Sequence, residues 1–180
     1  MTWLDVLFAH IKELVDFGRP FRVLRDYERA VVFRLGLYHR TSGPGWVWVV
    51  PLGVEDPEII DCREETRNLT SQSATTADGK AVTFGVNLVY RVVDPQRYQC
   101  EVFDFDSSLC AYTMIHLHRR IRELPLSDLI ANQVKLERSL EGTLSTRLQK
   151  WGGEIVSVGF TDFVQTRQFR FFGENFTRSS

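Results

Sequence analysis

The residues best suited to metal binding or nucleophilic chemistry are a His-x-His pair and three cysteines. His116 and His118 lie on a predicted helix, where positions i and i+2 do not share a face, and zinc requires three or four converging ligands. The three cysteines, Cys62, Cys100 and Cys110, show no metal-type spacing and have no evident base partner. They fit reduced thiols in a cytosolic setting, with a Cys100–Cys110 disulfide as the alternative. We therefore expect no metal, no cofactor and no catalytic residue.

Other motifs that would indicate an enzyme or a nucleic-acid-binding protein are missing from the sequence. It contains no Gly-x-Ser-x-Gly motif, P-loop or dinucleotide fingerprint. A basic cluster, "HLHRRIR", occupies residues 116–122, but the net charge of the chain is −1 and no stacking aromatics accompany the cluster. We interpret it as a solvated helix face, with contact to phosphates or to an acidic partner as the alternative, and we expect no nucleic-acid partner.

Length and composition describe one globular domain with room for a terminal appendage. The chain has 180 residues, of which 43% are hydrophobic and 25% charged, close to globular averages. The longest apolar run, residues 45–54, is ten residues long and contains Pro51, whereas a membrane span needs about 20. No basic segment precedes an apolar core at the N-terminus, so we expect no secretory signal. Any membrane contact is predicted to be peripheral.

The first 20 residues predict an amphipathic helix over residues 3–17. Its apolar positions recur at spacings of three and four and include Trp3, Leu4, Leu7, Phe8, Ile11 and Leu14. Gly18 and Pro20 end the helix. The apolar stripe has two interpretations, which are packing against protein and lying in a membrane interface. The opposite side carries more acidic than basic residues, which disfavours anionic lipid.

Residues 41–53 read "TSGPGWVWVVPLG" and concentrate two tryptophans after a turn. A membrane wedge, an aromatic ligand platform and a buried strand are the three explanations. The run is too short to span a bilayer and has no polar constellation beside it, so we predict a short buried strand over residues 46–50. Both of its faces are apolar. We therefore expect a second layer over it, supplied by the N-terminal helix, a neighbouring subunit or a membrane.

The rest of the chain predicts a sheet followed by helices and a returning strand. Residues 29–36 and 58–63 predict strands, and residues 37–45 a loop. Asp78-Gly79 joins two extended runs, the second of which alternates over residues 82–92. Helices are predicted over about 108–123, capped by Ser107 or Ser108, and over about 133–150. The second helix carries a leucine ladder, which consists of Leu136, Leu140, Leu144 and Leu148.

These elements define a fold class and a division of the chain. Residues 154–163 predict a last strand, followed by a Phe-rich tail with Phe169, Phe171 and Phe172. The order predicts an α+β fold, with a small antiparallel-rich sheet and helices on one side, preceded by the amphipathic helix. The expected division is residues 1–20 for the helix, 21–165 for the domain and 166–180 for the tail.

Five motifs in this order resemble the stomatin/prohibitin/flotillin (SPFH, or band-seven) domain. They are "YERAVVFRLGLY" (27–38), "GPGWVWVVP" (43–51), "DGKAVTFGVNLVYRVVDP" (78–95), "LIANQVKLERSLEGTLSTRL" (129–148) and "WGGEIVSVGFTDF" (151–163). The resemblance covers about residues 24–165, and its strength lies in the combination because each motif alone is weak.

The resemblance implies a non-enzymatic scaffold that self-associates into a ring or cage, in the cytoplasm and peripheral to a membrane. Expected partners are copies of the chain, membrane lipids and a client protein whose identity the sequence does not give. The alternative is a soluble oligomeric shell or adaptor with the N-terminal helix packed between subunits. The apolar stripe at 3–17 would contact membrane or partner, whereas the leucine ladder and the tail phenylalanines would support self-association. The leucine ladder has a simpler explanation as well, which is packing on the sheet.

Overall fold

The structure, a computed structural model, describes residues 21–166. Its strands are β1 (Phe21–Leu24), β2 (Glu28–Arg34), β3 (Leu37–Ser42), β4 (Gly45–Trp48), β5 (Glu55–Asp61), β6 (Glu65–Thr75), β7 (Ala81–Val92) and β8 (Gly153–Thr166). Its helices are α1 (Pro95–Cys100), α2 (Phe105–Glu123), α3 (Leu126–Ala131) and α4 (Gln133–Lys150). The predicted helix at 3–17 and the tail with Phe169, Phe171 and Phe172 lie outside the described residues.

The larger layer is an antiparallel sheet in the order β6-β7-β8, with helices on one face. Alternate residues of β7 enter the core, from Val82 to Tyr90, as the period of two along a strand requires. They meet the leucine ladder of α4 and the buried positions of α2, including Leu109 and Leu117. The predicted α+β architecture is therefore confirmed, and α4 has the predicted bounds.

The smaller layer is built from the first five strands. β2 lies between β3 and β5 in one sheet, and β1 pairs with β4 in a second sheet of two strands. Ala30 and Val32 on one face of β2 form a small core with Leu24, Val47 and Val49. Val31, on the other face of β2, packs with Ile60 and Val92. Because Val92 ends β7, this second cluster joins the two layers.

The helices α1 and α2 each start after an acidic N-cap. Asp94 precedes Pro95, and its carboxylate accepts the Arg97 N–H at 3.2 Å. The prediction for α2 was wrong, because Asp104 is the cap and accepts the Ser107 N–H at 3.0 Å. An aspartate that caps with its carboxylate begins the helix earlier than the Ser107 or Ser108 hydroxyl would.

Two predictions for the smaller layer were also wrong. Residues 37–42 of the predicted loop form β3, since Leu35-Gly36 closes a two-residue hairpin with β2. The strand at 46–50 begins at Gly45 and ends at Trp48, and only one of its faces is buried. Val47 and Val49 enter the core, but Trp46 and Trp48 are exposed.

The leucine ladder gives a test of the larger core. Leu144 is fully buried, so Leu144→Ala should lower the free energy of unfolding by about 2–5 kcal/mol through lost burial and an unfilled cavity. Val134→Ala, at an exposed position of the same helix, is the matched control and should change it by less than about 0.5 kcal/mol. Urea denaturation measures both, and equal effects would contradict the assignment of the ladder to the core.

Candidate functional site

The residues first considered for chemistry are not brought together by the fold. His118 lies against Phe84, with its Nε2 3.0 Å from Gln72 Oε1, whereas His116 packs on Tyr112. The three cysteines are free thiols, and burial raises the pKa of Cys62 and Cys110. Over residues 21–166, no group of three or more His, Cys, Asp or Glu side chains is arranged to hold a metal ion. Arg120, from the basic cluster, bonds to Glu123 at 3.2 Å and Ser139 at 3.3 Å.

Four charged and phenolic groups meet where β6, β7 and α2 come together. The Tyr90 hydroxyl, which has a single proton to donate, lies within hydrogen-bond distance of Asp106 and, at 3.0 Å, of Glu65. Arg67 pairs with the same two carboxylates. Burial and then the bond to Asp106 raise the pKa of Tyr90, so the phenol stays protonated and acts as a donor. These groups bond to one another and hold α2 against the sheet.

The β1–β4 pair exposes an apolar surface, the aromatic face, which consists of Phe21, Val23, Trp46 and Trp48. Their exposed fractions are 48, 68, 78 and 60%. The antiparallel register places Phe21 opposite Trp48 and Val23 opposite Trp46, and cross-strand partners share one face of a sheet. The Phe21 ring centroid lies 5.8 Å from each of the two tryptophan rings. Large apolar groups clustered on a surface mark an interaction site more often than single ones do.

Two turns of identical sequence, the leucine turns, lie beside each other in the smaller layer. In Leu35-Gly36 the φ angles are 50° and 81°, and in Leu52-Gly53 they are 66° and 73°. The Leu35 N–H donates to Val54 O at 3.0 Å, which joins the two turns. Leucine in a left-handed conformation costs roughly 1–2 kcal/mol, and the first position of such a hairpin turn ordinarily carries Asn, Asp or Gly. Leu35 and Leu52 nevertheless project to solvent, with exposed fractions of 79 and 76%.

A buried carboxylate positions both surfaces. The Glu55 side chain is inaccessible to solvent and accepts hydrogen bonds from Arg34 at 2.6 Å, Arg40 at 2.9 Å and the Val50 N–H at 3.0 Å. Arg40 also donates to the Trp48 carbonyl. These bonds, those from Arg40 and the Val50 N–H foremost, lower the pKa of Glu55 from 4.5 to about 2. Glu55 therefore fixes the segment between Trp48 and the second leucine turn against β2 and β3.

The leucine ladder, assigned above to self-association, faces the core of its own domain. All four of its side chains are buried among β7, α2 and β8 residues. Exposed apolar side chains of the helical layer lie beside it instead, at Ile130 and Val134. Contact with a neighbouring copy would therefore use the edges of α4.

Comparison with known proteins agrees with the fold. The SPFH domain / Band 7 family matches residues 22–170. The chain belongs to this family. It is 27% identical over 168 residues to an uncharacterized protein of Archaeoglobus fulgidus, covering 93% of this chain and 66% of that one. A protein of Methanothermobacter thermautotrophicus, also uncharacterized, is 30% identical over 155 residues, or 86% and 48% of the two chains. A stomatin homolog of Pyrococcus abyssi is 26% identical over 162 residues, or 90% and 59%.

Family membership supports a scaffold role at the level of the family, whose members are generally non-enzymatic. The SPFH chain spans about half to two thirds of the length of these curated relatives. Among the helices between residues 21 and 166, none is both long and apolar enough to cross a membrane.

The sequence pattern identified the tryptophans but not the groups that present them. Glu55 gives no periodic signal, because a single buried acid resembles any surface acid in a sequence. The leucine turns had a usable signal, since Leu-Gly occurs twice where a turn is required.

The Glu55 interactions predict a pH-dependent stability. The pKa of Glu55 is lower in the folded state than its ordinary 4.5, so its stabilising contribution is present above pH 4.5 and is lost as the pH falls toward 2. Glu55→Gln should lower the denaturation midpoint at about pH 7 because Arg34 and Arg40 lose their partner. The difference from the unsubstituted protein should then shrink between pH 4.5 and 2.

Glu154→Gln is the control, since Glu154 pairs with Arg91 in an exposed position and such pairs contribute about 0–1 kcal/mol. Asp78, whose pKa is also lowered to about 2, is present in every variant and cancels in the difference. If the difference in denaturation midpoint between Glu55→Gln and the unsubstituted protein stays constant between pH 4.5 and 2, this role of Glu55 is contradicted.

Proposed function

We propose that this SPFH chain is a non-enzymatic scaffold that self-associates into a ring or cage at a membrane surface, on the cytoplasmic side. The observation that carries the proposal is the family membership, which spans residues 22–170. The predicted apolar stripe of residues 3–17 supplies the anchor, through Trp3, Leu4, Leu7, Phe8, Ile11 and Leu14. A client protein, not identified by the sequence, would be organised by the assembly.

Lateral contacts are assigned to the free edges of the larger layer and to the tail. β8 is an outer strand of its three-stranded sheet in the described part of the chain and exposes Val156 and Val164. An outer strand presents unpaired backbone groups that a second chain can use. Ile130 and Val134 add exposed apolar contacts at the helical edge, and Phe169, Phe171 and Phe172 extend them.

A soluble shell or adaptor is the second candidate, with the stripe of residues 3–17 packed between subunits. It is favoured by the polar side of that segment, which carries Asp5, Glu13 and Asp16 against Lys12. An excess of acid weakens attraction to anionic lipid.

Self-association is tested by sedimentation velocity of the full chain at micromolar concentration. We expect a species several times the mass of the monomer, because the proposed lateral contacts repeat around a closed ring. Val156→Lys/Val164→Lys should reduce its fraction, since charge on an outer strand opposes pairing with another strand. Gln96→Lys/Gln99→Lys, at exposed positions of α1 outside the proposed lateral contacts, adds the same number of charges and should leave the fraction unchanged. A monomer as the sole species would contradict the ring or cage.

Anchoring is tested by flotation with phosphatidylcholine vesicles, with and without phosphatidylglycerol. Leu7→Asp/Phe8→Asp should abolish flotation by placing two charges in the apolar stripe. Thr2→Asp/Ala9→Asp adds the same charge to the predicted polar side and should float like the unsubstituted chain. Flotation of the unsubstituted chain with neither lipid mixture would contradict the membrane location and leave the soluble shell.

A further inference from the structure

We propose that the aromatic face and the leucine turns form one lipid-contact surface of the folded SPFH domain, which docks on the interfacial region of a bilayer. This inference rests on the proposed membrane location. It adds a second contact that is distinct from the stripe at residues 3–17. It also assigns a role to the two tryptophans of β4, which are exposed and therefore do not serve to fill the core.

The chemistry of the aromatic face suits a bilayer interface. Indole combines a large apolar area with an N–H donor, and tryptophan is enriched where lipid headgroups meet hydrocarbon. Trp46 and Trp48 are well exposed, and Phe21 is seated between their rings. The opposite side of β4 is filled by Val47, which packs in the domain core. The β1–β4 pair thus buries one apolar side in protein and leaves the other available.

The chain connects the proposed anchor directly to this surface. Residues 1–20 lead directly into Phe21, the first residue of β1 and a member of the aromatic face. Phe21 pairs with Trp48, and only three residues separate Trp48 from Leu52. Along the chain, few residues therefore separate the predicted anchor from the aromatic face, and the aromatic face from the second leucine turn.

The leucine turns favour lipid over a protein partner as the occupant. Leu35 and Leu52 are solvent-exposed at the tips of two turns, and Leu37 lies next to them with an exposed fraction of 74%. Convex apolar tips need a matching cavity in a protein partner, whereas acyl chains accommodate any protrusion. Both leucines hold φ angles that asparagine adopts more readily. Strained conformations of this kind cluster at functional sites.

The tryptophans of the aromatic face and the second leucine turn lie in a segment without acidic side chains. Residues 41–54, which include β4 and this turn, contain no acidic residue. The five strands of the smaller layer, residues 21–61, contain five arginines against six acidic residues. Docking on a bilayer would therefore depend on the apolar groups, because the layer as a whole has no excess of positive charge to attract anionic headgroups.

The first test measures partitioning of the full chain onto phosphatidylcholine vesicles with and without phosphatidylglycerol. Trp46→Thr/Trp48→Thr removes both indoles and replaces them with a β-branched residue that favours strands. This variant should weaken partitioning at least about tenfold. Val93→Thr, at an exposed site outside the aromatic face, the leucine turns and the lateral contacts, is the control and should leave partitioning unchanged. A Trp3→Phe background retains Trp46, Trp48 and Trp151. In it, lipids brominated on the acyl chains close to the headgroup should quench a part of the fluorescence, and this quenched part should be absent when Trp46 and Trp48 are also replaced.

The second test separates binding from stability. Leu35→Asn/Leu52→Asn places in each turn a residue that tolerates positive φ, so the thermal midpoint should be unchanged or higher. Partitioning should nevertheless fall, because two apolar tips are lost. Partitioning equal to that of the unsubstituted chain would overturn the role of the leucine turns.

The outcomes distinguish this inference from the proposed function on which it rests. If Leu7→Asp/Phe8→Asp abolishes binding and Trp46→Thr/Trp48→Thr has no effect, the stripe alone anchors the protein and the inference is wrong. If the tryptophan variant instead lowers the assembly mass in sedimentation and partitions normally, the aromatic face binds a second copy and the inference is wrong. Absence of binding by the unsubstituted chain overturns both.

Discussion

The smaller layer depends on Glu55, a carboxylate removed from water and held by two guanidinium groups and one backbone N–H. Its partners come from β2, from β3 and from the segment after β4, so a single side chain joins three parts of the chain. A buried charge is tolerated only when its partners are complete, and this requirement fixes the position of each part. Glu55 holds the Trp48 carbonyl indirectly, through Arg40, and binds the Val50 N–H directly. The strand that carries both tryptophans is therefore oriented by an interaction on its far side.

The larger layer obtains its rigidity by burial instead. β7 contributes alternate apolar residues and α4 contributes a leucine every fourth position, and the two patterns meet in one continuous core. A four-residue spacing drifts slowly across a helix face, which suits a helix that crosses a twisted sheet. The four leucine side chains of the ladder are buried within their own domain. What remains for a neighbour is the helical edge at Ile130 and Val134, together with the outer strand β8.

The sequence alone predicted the parts of the fold that have a strong period. The Asp78-Gly79 hairpin, the long strand β7, the helix at 133–150 and the α+β order all follow from spacing and turn residues. The exposure of the tryptophans was not predictable, because a strand with two apolar faces has the same sequence pattern whether its second face meets protein or solvent. The cap of α2 was missed because Asp104, Ser107 and Ser108 are all good N-cap residues within one turn. Glu55 was missed because its importance depends on Arg34 and Arg40, which approach it only in the folded chain.

The exposed surfaces divide between the two layers, and this division constrains how a scaffold of this family could be built. The aromatic face and the leucine turns lie in the smaller layer, where the chain enters from residues 1–20. Ile130, Val134 and β8 lie in the larger layer. A protomer oriented with its smaller layer on a membrane would leave the edges of its larger layer free for lateral contact, so attachment and assembly would not compete for the same residues. The cluster of Val31, Ile60 and Val92 joins the layers, and its packing would therefore set the angle between the membrane-facing surface and the lateral one.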